Sequence, residues 1–329
     1  MGYETLSRVR EDYLDWMKAR RLGQRTIKNK LQILNHASDI WGNPVVRRIK
    51  PEDVTRLFDQ GQWGPSTANL YMGNLRGFFQ YCRDTAICPP DFDPTRGWRN
   101  ARVPRKKMYR LPKEDIPALL DAAEHPRDRM VVAVGLYTLA RGSEIREMRW
   151  DNFNLNSGVA EFYQIKNKRD HMLPIIGELD DELRSWQAWV EERHGPIQPH
   201  WLLTPKQRRG NFSGPQGELI PSEQLELTNP LMHIYEAANR TFHNFGVDIP
   251  RQTGNHALRR SGARVLLDFF RQMEGEQSAL LRVSSMLGHA DIKDTIKYIG
   301  LDIENDQLMS KLKGVRILDE PKSGLRAVG

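Results

Sequence analysis

Residues 287–300 read LGHADIKDTIKYIG, a Gly-His turn at 288–289 joined to a short helical stretch that reaches Tyr298 nine residues later. Taken alone, Tyr298 has an ordinary use as a half-buried packing residue with its hydroxyl on water. Upstream, HALRRSGARVLL at 256–267 sets the imidazole of His256 and the guanidinium of Arg259 three residues apart, hence on one helical face, with Arg260 turned elsewhere. Many soluble proteins contain such a pair. Further upstream, LARGSEIREMRWDNFNL at 139–155 puts Arg141 late in an apolar helix, where an i, i+3 pair with Glu144 is its ordinary use.

Between these blocks, Asn156-Ser157-Gly158 marks a turn and Val159–Ile165 is rich in β-formers. The polar tip Lys166–Asp170 and the run His171–Ile175 complete a β-hairpin with a basic tip. Residues 203–228 are rich in Gly, Pro and Ser and predict a surface loop, after which the periodicity predicts helices over 229–245, 256–273, 277–287 and 291–299.

The first hundred residues read as helices throughout. Leu6, Tyr13, Leu14 and Met17 recur at helical spacing, Thr26 can cap a second helix, Pro51 opens a third, and a fourth runs from Ser66 until Pro89-Pro90. From Asp91 to Arg110 the text turns to prolines and cations with little periodicity, a linker pattern. The sequence thus predicts a mainly α chain with one small β-hairpin, in two domains: helical residues 1–104, with a basic linker near 91–110, and an α+β unit over 105–329.

Charge separates the two. The chain carries a formal +7, and residues 1–104 hold 17 Lys and Arg against 11 Asp and Glu, a net of +6, leaving 32 against 31 for the rest. A basic module beside a nearly neutral one fits a polyanion-binding arm, and equally a surface kept basic for solubility. Cys82 and Cys88 have spacing suited neither to a redox pair nor to half a zinc site, so a reducing, cytoplasmic setting fits. No stretch approaches the roughly 20 apolar residues of a membrane span, and the first residues lack a signal-peptide core. There is no GxxxxGK[ST] loop, no HExxH and no credible Cys/His cluster, hence no expected metal or other cofactor.

Order and spacing change the reading of the individual blocks. Arg141, a lysine on a hairpin tip, His256-x-x-Arg259, Gly288-His289 and Tyr298 together resemble the tyrosine recombinases, the phage integrase family, over essentially the whole second unit. The resemblance implies a helical core-type DNA-binding domain ahead of a catalytic domain. It also implies a site of Arg141, Lys166, His256, Arg259, His289 and Tyr298 that cleaves DNA through a 3′-phosphotyrosine. Two guanidinium forks suit the nonbridging oxygens of one phosphate, and a phenol with a reference pKa near 10 needs that help and a proton acceptor, His256. Lys166 stands eight residues before Pro174, as in the family pattern, and is preferred over Lys168 as the acid for the leaving 5′ oxygen. His289 would donate to the phosphate, and Glu144 would buttress the first arginine box.

The resemblance further implies double-stranded DNA sites as substrate, a homotetramer on paired sites, and accessory DNA-bending or directionality factors as possible partners. A helix over Glu304–Leu312 would dock on a neighbouring protomer or on its own domain, and no arm-type DNA-binding module is expected before residue 1. Integration or excision of a phage or mobile element is preferred to chromosome-dimer resolution. A relaxing activity of the type IB topoisomerase kind and a non-catalytic accessory protein of the same fold are the alternatives. Two positions depart from the pattern: Leu139 stands where many relatives have glycine, and Gly300 where Tyr-x-His is common.

Overall fold

The computed structural model describes residues 4–104, 108–207, 211–212, 219–220 and 224–302. The chain divides into two compact units, Met1–Lys106 and Lys107–Gly329.

The first unit is built from four helices: α1 (Leu6–Ala19), α2 (Gln24–Trp41), α3 (Pro51–Gly61) and α4 (Pro65–Asp84). Proline opens both α3 and α4, where its missing N–H costs nothing and its fixed φ is already helical. The second helix begins at Gln24 after Gly23 rather than at a Thr26 cap. Tyr13 and Met17 of α1, Ile33 and Leu34 of α2, Leu57 of α3 and Phe78 and Phe79 of α4 converge in one core. Each such side chain contributes about 1.5–3 kcal/mol by leaving water, so this unit has a core of its own. Cys82 and Cys88, unrelated in the sequence reading, are brought together here: both are buried, and the Cys88 N–H donates to the Cys82 carbonyl (2.9 Å).

The second unit is arranged around α6 (Pro126–Tyr137), which follows α5 (Ile116–Asp121) and packs against α8 (Gly177–His194), α9 (Ile234–Asn244) and α10 (Gly254–Glu274). A helix enclosed on all sides has no polar face to spare, and Met130–Leu136 is buried without a break. On one side Val134 joins Trp150, Phe162, Leu183 and Trp186; on the other Val132 and Leu136 meet Leu119, Phe242 and Leu258. Gly262 lets α10 come against the Leu136 carbonyl of α6, a crossing with no room for a Cβ. A third core joins α10 to α11 (Glu276–Leu287) and α12 (Ile292–Ile299) through Leu267, Val283, Leu287 and Ile299.

A three-stranded antiparallel sheet, β1 (Phe153–Asn154), β2 (Val159–Gln164) and β3 (Arg169–Pro174), stands between α7 (Gly142–Glu147) and α8. The register pairs Phe162 with His171 and Gln164 with Arg169, which narrows the expected hairpin tip to residues 165–168. Residues 203–228, expected as a loop, instead contain strands: β4 (Pro205–Gln207) pairs with β7 (Leu225–Pro230), and β5 (Asn211–Phe212) with β6 (Leu219–Ile220). The Gly- and Pro-rich text there conceals short strands with little alternation. The expected helix at 304–312 lies outside the described residues. Among the described residues no helix is long and apolar enough to cross a membrane.

Candidate active site

The cleft is set up by how α6 ends. The Thr138 hydroxyl donates to the Val134 carbonyl (2.7 Å) and accepts from the Ala140 N–H (3.2 Å), so the helix stops and the chain turns. Leu139 makes that turn at φ +55° while fully buried, a left-handed conformation that L residues adopt at a cost of about 1–2 kcal/mol. Arg141 therefore does not sit late in an apolar helix; it is the N-cap residue of α7. Glu144 grips it twice, accepting from the Arg141 backbone N–H at Oε2 (2.7 Å) and from its guanidinium at Oε1 (2.9 Å). The ordinary i, i+3 pair is thus present, and it fixes Arg141 rather than competing with another use.

The end of α11 supplies the opposite wall. Gly288, at φ +62°, closes the helix in a Schellman turn: its N–H donates to Ser285 O (2.9 Å) and that of His289 to Ser284 O (3.0 Å). The last carbonyls of a helix have no partner within it, and its C-terminus favours cations. Both arginines come to these carbonyls. Leu287 O accepts from Arg141 Nη2 (3.3 Å) and from Arg259 Nη2 (2.5 Å), while Arg259 Nη1 donates to Leu139 O. Arg259 is 2% exposed, and burial, reinforced by Arg141, lowers its pKa to about 10, which leaves it a cation at neutral pH.

His256 and Arg259 share the first turns of α10, and α12 carries Thr295 and Tyr298. His289 bonds through Nδ1 to the buried Thr295 hydroxyl (2.9 Å) and stands edge-on to the Tyr298 ring, centroids 5.5 Å apart. Burial, then the charges of Arg259 and Arg141, pushes the His289 pKa down to about 4, and His256 is lowered by burial and by Arg259, Arg260 and Arg141. Both imidazoles are neutral at pH 7. Burial raises Tyr298 above the ordinary phenol value, and the same arginines pull against that rise. Its hydroxyl donates to the His256 backbone carbonyl (3.3 Å) rather than to the imidazole.

All six residues singled out in the sequence, Arg141, Lys166, His256, Arg259, His289 and Tyr298, line one open cleft of about 550 Å³. Lys168 does not line it; it sits in the hairpin turn at φ +51°. Arg260, expected to point away, also faces the tyrosine: its guanidinium carbon lies 5.4 Å from the Tyr298 ring centroid, and Nη1 donates to Tyr109 O (2.8 Å). Thr295 and the Leu287 carbonyl escaped the sequence reading. A buried threonine on a helix and a backbone acceptor carry no motif. A cationic cleft with one half-buried phenol and two neutral imidazoles is equipped to hold a phosphodiester and attack it.

Residues 109–304 match the profile of the Phage integrase family. This chain belongs to that family. The tyrosine recombinases, as the family is also called, are site-specific recombination enzymes, and the chain is one of them. It is 24% identical over 270 residues to tyrosine recombinase XerC of Pseudomonas syringae pv. tomato, covering 80% of this chain and 79% of that protein. The fold is similar to a lambda integrase tetramer bound to a Holliday junction, at TM-score 0.63 and 16% identity over 87% of this chain and 78% of that one. It is equally similar to the XerH site-specific recombinase bound to a palindromic difH substrate, at TM-score 0.63 and 17% identity over 94% and 84%.

Proposed function

We propose that this recombinase cleaves and rejoins double-stranded DNA through Tyr298, and that it integrates or excises a phage or mobile element. The convergence of six separated residues on one cleft carries the reading. Arg141 and Arg259 take the nonbridging oxygens of the scissile phosphate and stabilise the added charge of the pentacoordinate state. The Tyr298 oxygen attacks phosphorus, its proton passing to the neutral His256 imidazole. The P–O5′ bond breaks and Lys166 protonates the departing oxygen, leaving a 5′-hydroxyl and a 3′-phosphotyrosine. With the Thr295 hydroxyl donating to Nδ1, His289 keeps its proton on Nε2 for the phosphate. Bond energy is kept in the protein–DNA link, so rejoining is the same step reversed by the 5′-hydroxyl of the partner strand.

The basic first unit serves as the core-site DNA-binding domain, and four copies act on two paired sites in the cytoplasm. The lambda integrase tetramer on a Holliday junction supports that assembly. Chromosome-dimer resolution is the second reading, with the same chemistry. Incubating the protein with nicked duplexes of its flanking attachment sequence tests the chemistry: a covalent adduct on denaturing gels that Tyr298→Phe abolishes is expected. Specific binding without an adduct would leave a non-catalytic DNA-binding protein. Deletion of the element's ends, as against deletion of the chromosomal terminus site, separates the two pathways by which junction disappears.

A further inference from the structure

Lys166 is exposed at the tip of a four-residue turn, yet a general acid must sit within hydrogen-bond reach of the leaving oxygen. A lysine on a flexible stem brings about 2 kcal/mol of rotamer entropy of its own, so its backbone has to be held. The neighbouring residue does this. Asn167 Nδ2 donates to the Gly288 carbonyl (2.7 Å), 121 residues away, and to Gln164 Oε1 (2.7 Å). Gln164 is 1% exposed and the Asn167 backbone N–H returns to its carbonyl (3.1 Å), so the carboxamide is aimed from both ends. Among the described residues this is the side-chain hydrogen bond that ties tip residues 165–168 to another element.

The receiving surface is shaped for it. A Cβ at position 288 would overlap the side-chain amides of both Asn167 and Gln164. Gly288 also precedes His289, so the bond fastens the lysine-bearing tip to the turn that carries the imidazole. The amide itself neither titrates nor attacks phosphorus, and so no step of the reaction uses it directly.

We propose that Asn167 is a positioning residue: its carboxamide latches the hairpin tip to the Gly288 carbonyl and so holds Lys166 at the leaving 5′ oxygen. This rests on the reading of Lys166 as general acid, and the test separates the two. Single-turnover formation of the Tyr298 adduct is measured on two nicked duplexes, one ordinary and one with sulfur replacing the bridging 5′ oxygen. Sulfur departs as a thiolate and needs no proton.

Lys166→Ala should lose about 10²-fold or more on oxygen, the low end of what general acid catalysis supplies, and little on sulfur. Asn167→Ala should lose roughly tenfold on oxygen, as one hydrogen bond allows, and again little on sulfur. Rapid cleavage of the sulfur duplex also shows that each variant is folded. Equal losses by Asn167→Ala on both duplexes would overturn the latch while leaving Lys166 in place. Equal losses by Lys166→Ala would overturn the acid assignment and the latch with it, with the Tyr298 adduct still standing.

Discussion

Arg141 and Arg259 reach the same carbonyl by different means, and their substitutions should therefore differ. Arg141 is anchored by Glu144 at the cleft wall and retains some exposure, whereas Arg259 is buried and satisfies two backbone carbonyls. Arg141→Ala should lower adduct formation by about 10²-fold or more, as removal of one oxyanion donor does elsewhere, with DNA binding in gel shifts changed only severalfold. Arg259→Ala should lose cleavage and also melt earlier, since Leu287 O keeps Arg141 but the buried Leu139 carbonyl loses its guanidinium donor, at a cost of about 1–3 kcal/mol. Equal melting temperatures for Arg259→Ala and the unaltered chain would contradict the packing described. His289 gives a pH signature. Its folded pKa of about 4 lies below the ordinary 6.5, so the unfolded chain takes up the proton first. Stability from this group is complete above about pH 6.5 and is lost as pH falls toward 4. Melting curves across that window should be flatter for His289→Gln; an unchanged slope would refute the assignment.

At the scale of elements, the turn after α6 decides where Arg141 points. Leu139 carries left-handed strain of about 1–2 kcal/mol, but emptying its buried pocket costs about 2–5 kcal/mol, so burial wins. Leu139→Gly should destabilise despite relieving the backbone, and Leu139→Ala, which loses the packing and keeps the strain, should destabilise more. The reverse order in chemical denaturation would show that strain is absent. Elements with strong periodicity or flanking prolines, such as α4, α10 and α11, were legible in the sequence because one apolar face repeats at helical spacing. Residues 203–228 were not, since three of the four strands there are two or three residues long and the six-residue β7, LELTNP, has no apolar-polar alternation to mark it. The start of α7 was missed for a related reason: Leu139 reads as helical periodicity, and nothing in a leucine announces a positive φ. Arg260 was misjudged because a 3.6-residue wheel places it away from Arg259 but says nothing of α12 folding back over it.

For the whole molecule, the basic excess lies in residues 1–104, which have their own core. Binding of the full chain to duplex DNA should weaken as a power of salt concentration, because each neutralised phosphate releases counterion. Substituting cations of the first unit should reduce that slope across all sequences, whereas Arg141→Ala should leave it nearly unchanged. A slope indifferent to the first unit would assign its charge to solubility. The six residues that line the cleft were picked out by order and spacing, although they lie in four separate stretches, because each stretch carries its own local pattern. What holds them, the final carbonyls of α11, the Thr295 hydroxyl and the Asn167 carboxamide, was not, since backbone acceptors and single polar side chains become informative only when the chain is folded.

The central claim is that one tyrosine oxygen becomes bonded to DNA. Trypsin cleavage after Lys297 should release the peptide Tyr298–Lys311 from the trapped complex. After nuclease trimming, mass spectrometry should find that peptide heavier by a nucleotide, with the added mass fragmenting to Tyr298. A nucleotide on any other residue, or an unmodified Tyr298–Lys311 in a complex that nonetheless holds cleaved DNA, would contradict the account.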